Sequence, residues 1–183
     1  MQIDLIRHGE YEGEKAYCGS TDRKLSEKGW QQMSAACDCH NSWEQIISSP
    51  LSRCTAFAKQ LSDNLQIPLT IDGRWREMHF GRWDGFTALD IMQNDEQALT
   101  DFWKNPVKYS PPEGETLQQV VSRILVAWNE LKQYAKPSLV VTHGGPMRII
   151  HCHEKNHPLE QLMEIQVQNA ELHSYLLNKE LAK

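Results

Sequence analysis

The chain has 183 residues, 40% of them hydrophobic and 23% charged, which is enough for one ordinary packed domain, too little for two, and unlike a disordered or repetitive composition. A net charge of -5 argues against a surface built to follow the phosphate backbone of nucleic acid, and no stretch approaches the roughly 18 consecutive apolar residues of a membrane span. The opening residues lack a basic segment leading into an apolar run, so the expected compartment is the cytoplasm; five cysteines without paired C-x-x-C spacing suggest reduced thiols.

Residues 2–6, QIDLI, read as a short strand running into Arg7-His8-Gly9-Glu10, so a strand end delivers a histidine. Ser26 then stands where it would cap a short helix containing Trp30, Met33, Ala35 and Ala36. Residues 43–48 are the next expected strand, closed by Ser49-Pro50, and residues 51–65 have helical spacing with Arg53 in the first turn. Residues 67–71 are a third candidate strand, followed by the irregular aromatic segment 73–86, which carries Glu77. A helical excursion over 89–103 leads into a loop at 105–114 that holds three prolines and a glycine. Together, residues 73–114 read as an insertion or lid on a single domain spanning 1–183.

Thr116 opens the cap pattern T-x-x-Q, and Leu117, Val120, Val121, Ile124, Leu125, Trp128 and Leu131 recur at helical spacing through about residue 134. Residues 138–142, SLVVT, form an uninterrupted apolar run of the parallel-sheet kind and pass into His143-Gly144-Gly145-Pro146 at the start of another helix. Residues 164–178 alternate around Gln168-Asn169-Ala170 and are expected to add one or two closing strands.

Strands alternating with helices imply an open α/β sheet, whose ligands bind beyond the carboxyl ends of the strands. There Arg7, His8, Arg53, His143 and Glu77 become neighbours. Two arginines and two histidines beside helix N-termini favour an anion, because guanidinium forks match phosphate oxygens and the helix dipole adds positive charge. The same arginines oppose a divalent metal on His8 and His143, which also lack ligand-type spacing. An unprotonated imidazole is a competent nucleophile toward phosphorus, and His8 is the candidate.

The motifs Leu5-Ile6-Arg7-His8-Gly9-Glu10, Ser48-Ser49-Pro50-Leu51-Ser52-Arg53, Glu77-Met78-His79-Phe80-Gly81 and Val141-Thr142-His143-Gly144-Gly145 resemble, in order and spacing, those of the histidine phosphatase superfamily, the phosphoglycerate mutase-like family. The resemblance implies a three-layer α/β/α sandwich with a mostly parallel central sheet and a metal-independent, cofactor-free phosphomonoesterase. It makes His8 the nucleophile, Glu77 the proton donor to the leaving oxygen, and Arg7, Arg53 and His143 the holders of the phosphoryl group. Thr21 and Gly144 are further expected substrate contacts, and Glu10 is a supporting neighbour of the nucleophile. Within the family, Gly81-Arg82-Trp83-Asp84-Gly85, Gly19-Ser20-Thr21-Asp22 and Pro112-Glu113-Gly114-Glu115-Thr116 are most similar to small bacterial α-ribazole phosphatases. The partner so implied is a small phosphorylated metabolite, α-ribazole 5′-phosphate in first place; a broad phosphatase, a mutase-type phosphotransferase and a silent phosphate-binding module are the alternatives. Whether a second copy of the chain joins it, as in a homodimer, is left open.

Two groups carry competing readings. Trp75, Phe80, Trp83, Phe86, Phe102 and Trp103 are either a stacking wall for a flat leaving group or plain core. His151-Cys152-His153-Glu154 with His157, and Cys37-x-Cys39-His40, contain metal-ligand types at spacings that match no closed tetrahedral site, so no metal is expected.

Overall fold

The computed structural model describes residues 1–38, 42–134 and 136–176. Strand β1 (Gln2–Arg7) is followed by helix α1 (Glu27–Cys37), β2 (Gln45–Ser48), α2 (Ser52–Leu65), β3 (Leu69–Ile71), α3 (Ala88–Lys104), α4 (Leu117–Tyr134), β4 (Ser138–Thr142), α5 (Gly144–Lys155) and β5 (Leu172–Leu176). The five strands form one sheet in the order β3-β2-β4-β1-β5, parallel except for β5, which pairs antiparallel with β1.

The register brings the strand ends level. Arg7 lies opposite Thr142, and Ser48 opposite Val141, so the chain leaves β1, β4 and β2 side by side. Side-chain alternation sends Ile3, Leu5, Ile47 and Val140 to one face and Ile6, Ile46, Leu139 and Val141 to the other. The first face packs under α3, α4 and α5, the second under α1 and α2, giving the three-layer α/β/α sandwich. On α4, Leu117, Val120, Val121, Ile124, Trp128 and Leu131 are buried at helical spacing, and each contributes about 1.5–3 kcal/mol of apolar burial. The expected caps are present: Gly29 N donates to Ser26 Oγ at 3.1 Å, and Thr116 with Gln119 closes a reciprocal box at the start of α4.

Three boundaries differ from the sequence expectation. β2 begins at Gln45 because Trp43 is drawn aside, its indole Nε1 donating to the buried Asp4 carboxylate at 2.7 Å. β3 begins at Leu69, after Pro68, which has no N–H to give a ladder. The segment 164–178, expected to supply one or two closing strands, begins where a 3-10 turn at Leu159–Glu164 ends and supplies the single strand β5 only from Leu172; residues 177 and 178 lie outside the described residues. Residues 165–171 stay out of the sheet, and the carbonyls of Ile165 and Val167 instead accept from Arg148 and Arg7.

Candidate active site

The strand ends assemble the site. His8 follows β1, His143 follows β4, and Arg53 lies in the first turn of α2, directly after β2. A side chain on Gly9 would sit 2.2 Å from the Gly29 carbonyl, so only glycine lets the chain leave β1 this close to α1. Arg7, His8, Arg53 and Glu77 face one cavity of about 880 Å³. Glu77 arrives from the other direction: the Thr142 hydroxyl donates to the Trp75 carbonyl at 2.7 Å, tying the end of β4 to the segment that carries the acid. Its carboxylate accepts from Met78 N at 2.9 Å and from Gly145 N at 3.1 Å. Glu77 therefore caps α5 from outside the helix, satisfying a donor that His143, at the N-cap position, leaves unbonded.

His8 is 4% exposed, and its Nδ1 lies 2.7 Å from the Gly9 carbonyl. A carbonyl only accepts, so Nδ1 carries the proton and Nε2 keeps its lone pair. Burial, with Arg53 and then Arg7 adding to it, pushes the imidazole down to about 3; the Gly9 hydrogen bond opposes the shift and loses. His143 is also held well below its ordinary value, first by burial and then by Arg53 and His8. Both rings are neutral at neutral pH.

Each arginine is anchored and left with a spare donor. Arg7 Nη1 donates to the Val167 carbonyl at 2.6 Å; Arg53 Nη2 and Nη1 donate to the carbonyls of Cys18 and Thr21 at 2.5 and 3.2 Å. The Nε–H of Arg7 and of Arg53 are buried and have no hydrogen-bond partner among the described residues.

Other expected contacts are not brought to the cavity surface. His143 is fully buried edge-on to His8, ring centroids 5.2 Å apart, with Nε2 at 2.7 Å from Ser49 Oγ, and it packs behind His8 rather than facing the cavity. The Thr21 hydroxyl donates to Asp84 at 2.6 Å, so Thr21 supports Arg53 through its carbonyl and does not line the cavity. Gly144 is buried beneath Arg7 and Arg148. Glu10, by contrast, does line the cavity, with its carboxylate paired to Lys28 at 2.8 Å.

The aromatic set divides. Trp75 and Trp83 are core, and Phe86 is 53% exposed on the surface. Phe80, Phe102 and Trp103 line the cavity together with Tyr17, which the sequence reading missed. Tyr17 packs edge-on to Phe80 at 4.9 Å, and its hydroxyl accepts from Trp103 Nε1 at 2.7 Å. Arg148 was missed as well; its Nε donates to the Ile165 carbonyl at 2.8 Å and it lines the same cavity. Its position four residues after Gly144, one helical turn on, is the signal that would have found it. Asp84 accepts from the backbone N–H groups of Gly19, Ser20 and Thr21, fixing the loop whose carbonyls hold Arg53.

Among the described residues no three His, Cys, Asp or Glu side chains converge as metal ligands. His151 instead stacks near His157 and His173, and Glu154 accepts from Trp128 and Lys132. Cys39 and His40 lie outside the described residues; Cys18, Cys37, Cys54 and Cys152 are buried free thiols. No helix among the described residues is long and apolar enough to cross a membrane.

Residues 3–181 match the family described as histidine phosphatase superfamily (branch 1). The chain is 31% identical over 157 residues to a glucosyl-3-phosphoglycerate phosphatase of Mycolicibacterium vanbaalenii, covering 79% of this chain and 69% of that protein. It is 28% identical over 180 residues to the adenosylcobalamin/alpha-ribazole phosphatase of Escherichia coli, covering 91% and 85% respectively. Among solved structures it is similar to YhfR of Bacillus stearothermophilus, with a TM-score of 0.90 and 28% identity over 97% of this chain and 92% of that one.

Proposed function

We infer, from the premise that the chain belongs to the histidine phosphatase superfamily, that it hydrolyses a small organic phosphomonoester through a phosphohistidine on His8, with α-ribazole 5′-phosphate as the substrate. The observation that carries this reading is the pair of buried, unpartnered Nε–H groups on Arg7 and Arg53 beside a neutral His8. A buried donor without an acceptor costs about 1–3 kcal/mol, and phosphoryl oxygens would satisfy both at once with charge-assisted bonds. Arg7 Nη1 and both Nη groups of Arg53, tied to backbone carbonyls, fix where those donors aim. A divalent cation would meet two arginines in the same place.

In the first step His8 Nε2 attacks phosphorus, forming the N–P bond as the P–O ester bond breaks, and Glu77 gives its proton to the departing oxygen. In the second, water attacks the phosphohistidine, Glu77 takes the water's proton, and the N–P bond breaks to return His8 and phosphate. Arg7 and Arg53 balance charge on the phosphoryl oxygens throughout. Residues 73–114, which supply Glu77, Phe80, Phe102 and Trp103, serve as the cover over this reaction within one domain.

The wall of Tyr17, Phe80 and Trp103 supports a flat leaving group such as a benzimidazole riboside, as does the similarity to the Escherichia coli protein. A second reading has its own observation: Arg148 faces the cavity with no acidic partner among the described residues, which suits a carboxylate on the leaving group, as in phosphoglycerate esters. The test is phosphate release in excess EDTA from α-ribazole 5′-phosphate, glucosyl-3-phosphoglycerate, 3-phosphoglycerate and p-nitrophenyl phosphate, with labelled-phosphate trapping on the wild type and on His8→Ala. The expected result is preference for α-ribazole 5′-phosphate, a trapped acid-labile phosphoenzyme, and neither turnover nor label in His8→Ala. Label in His8→Ala would overturn the mechanism. Preference for the acids, lost in Arg148→Met, would replace the substrate.

A further inference from the structure

We infer that Arg123 and Glu115 form a clasp that positions Glu77, so that these two residues, which lie outside the cavity, set the efficiency of proton donation; the inference rests on the acid role proposed for Glu77. Arg123 projects from the second turn of α4, and all five of its N–H donors have acceptors. Nε and Nη2 grip the Glu115 carboxylate at 2.9 and 2.8 Å. Nη1 donates to the carbonyls of Arg74 and Arg76, both at 2.7 Å, and Nη2 donates to the carbonyl of Glu77 itself at 3.0 Å.

Glu115 completes the device from the loop before α4. Its carboxylate accepts from His79 N at 2.9 Å, and its own N–H donates to the His79 carbonyl at 2.9 Å. One ion pair thus captures backbone groups of residues 74, 76, 77 and 79, on both sides of the acid. The pair is well shielded, with side chains 14% and 18% exposed. A surface ion pair would be worth little, but a planar fork spent on three backbone carbonyls within one short segment specifies geometry in a way a point charge cannot.

The arrangement matters for chemistry because the side-chain anchors of Glu77, Met78 N and Gly145 N, fix only the carboxylate relative to its surroundings. The depth at which that carboxylate enters the cavity is set by the backbone, and the clasp holds the backbone against α4. Arg123 touches neither the cavity nor the phosphoryl site, so loss of the clasp should leave phosphate binding in place while weakening the general acid.

The experiment compares Arg123→Lys, Glu115→Gln and Glu77→Gln on an alkyl phosphomonoester, whose leaving oxygen needs a proton, and on p-nitrophenyl phosphate, whose leaving group scarcely does. Positioned acid catalysis contributes about 10²- to 10⁴-fold, so a loosened acid should lose about 10- to 100-fold in kcat on the alkyl ester and far less on the aryl ester. KM and inhibition by inorganic phosphate should stay within about threefold of wild type, since the arginine contacts are untouched. Equal losses on both esters, or a loss confined to KM, in folded Arg123→Lys would overturn the clasp while Glu77→Gln still showed the leaving-group split. If Glu77→Gln shows no split, the acid role and the clasp fall together. Glu115→Gln, which keeps the side chain's shape and one acceptor, carries the test should Arg123→Lys not fold.

Discussion

Replacing Gly145 with alanine should separate catalysis from stability. An added Cβ would stand 2.2 Å from Glu77 Oε1, whereas an unstrained contact needs about 3.5 Å, so the carboxylate must retreat by roughly 1 Å. A displacement of that size in a reacting group is associated with a loss of about 10²-fold. The clashing atom is the free end of a flexible side chain, which can rotate away without moving the backbone. Position 145 lies in the first turn of α5, where alanine is intrinsically favoured over glycine by about 1 kcal/mol. The retreat also gives up the Glu77 cap on Gly145 N, worth about 1 kcal/mol, which offsets the helix gain. Gly145→Ala should therefore melt close to wild type while kcat for an alkyl phosphomonoester falls about 100-fold and p-nitrophenyl phosphate is hydrolysed with much smaller loss. Thermal melts, kcat on the two esters and inhibition by inorganic phosphate decide it. Intact alkyl-ester turnover, or equal losses on both esters, would refute the idea that Gly145 is needed to seat the acid.

Asp84→Ala should free the backbone donors of Gly19, Ser20 and Thr21 and loosen the carbonyls that hold Arg53; a weaker inhibition constant for phosphate, with destabilisation of about 1–3 kcal/mol, is expected from binding assays and urea melts. Unchanged phosphate affinity would detach Arg53 from this loop. The second expectation concerns acid. His8 is depressed to about 3 and His143 lies well below its ordinary value, so between about pH 4 and 6 the unfolded chain binds protons that the native chain refuses. Stability must then rise with pH across that window, by up to about 2.7 kcal/mol per unit for two histidines at 1.36 each. Asp84 and Glu115 add a further loss below it: burial raises both, but hydrogen bonds from Thr21 and from Arg123 prevail and hold them low, so their stabilisation disappears as they protonate. Urea midpoints at pH 7, 5 and 4 test this, and a flat profile from pH 6 to 4 would contradict two buried neutral imidazoles.

Much of the architecture was legible because apolar periodicity is a one-dimensional signal. SLVVT announced a strand buried on both faces, and the spacing of Leu117 through Leu131 announced α4. Arg7, His8, Arg53 and Glu77 were legible because strand ends are where an open α/β sheet gathers its polar residues. What escaped were choices made by long-range partners. Thr21 read as a ligand contact, yet its hydroxyl is taken by Asp84, more than sixty residues away. Ile165 and Val167 alternate like the start of a strand, but their carbonyls are taken by the side chains of Arg148 and Arg7. Arg123 stands on an amphipathic helix with no motif to single it out, and only the fold shows which carbonyls it meets. Nor does composition separate the aromatic wall from the aromatic core: Trp83 is buried in the core, whereas Trp103, near the end of α3, lines the cavity.

The antiparallel closing strand has a consequence for how the protein is made. Arg7 is held by a carbonyl 160 residues downstream, and β1 pairs along its length with β5, from Gln2 opposite Leu176 to Ile6 opposite Leu172. During synthesis at about 5–20 residues per second, the first strand leaves the ribosome many seconds before either partner exists. Until the last strand emerges, one edge of β1 is unpaired and its arginine lacks the carbonyl that aims it. The nascent chain should therefore gain phosphate affinity abruptly once β5 has emerged, and deleting β5 should silence a pocket whose candidate nucleophile, His8, lies at the other end of the fold.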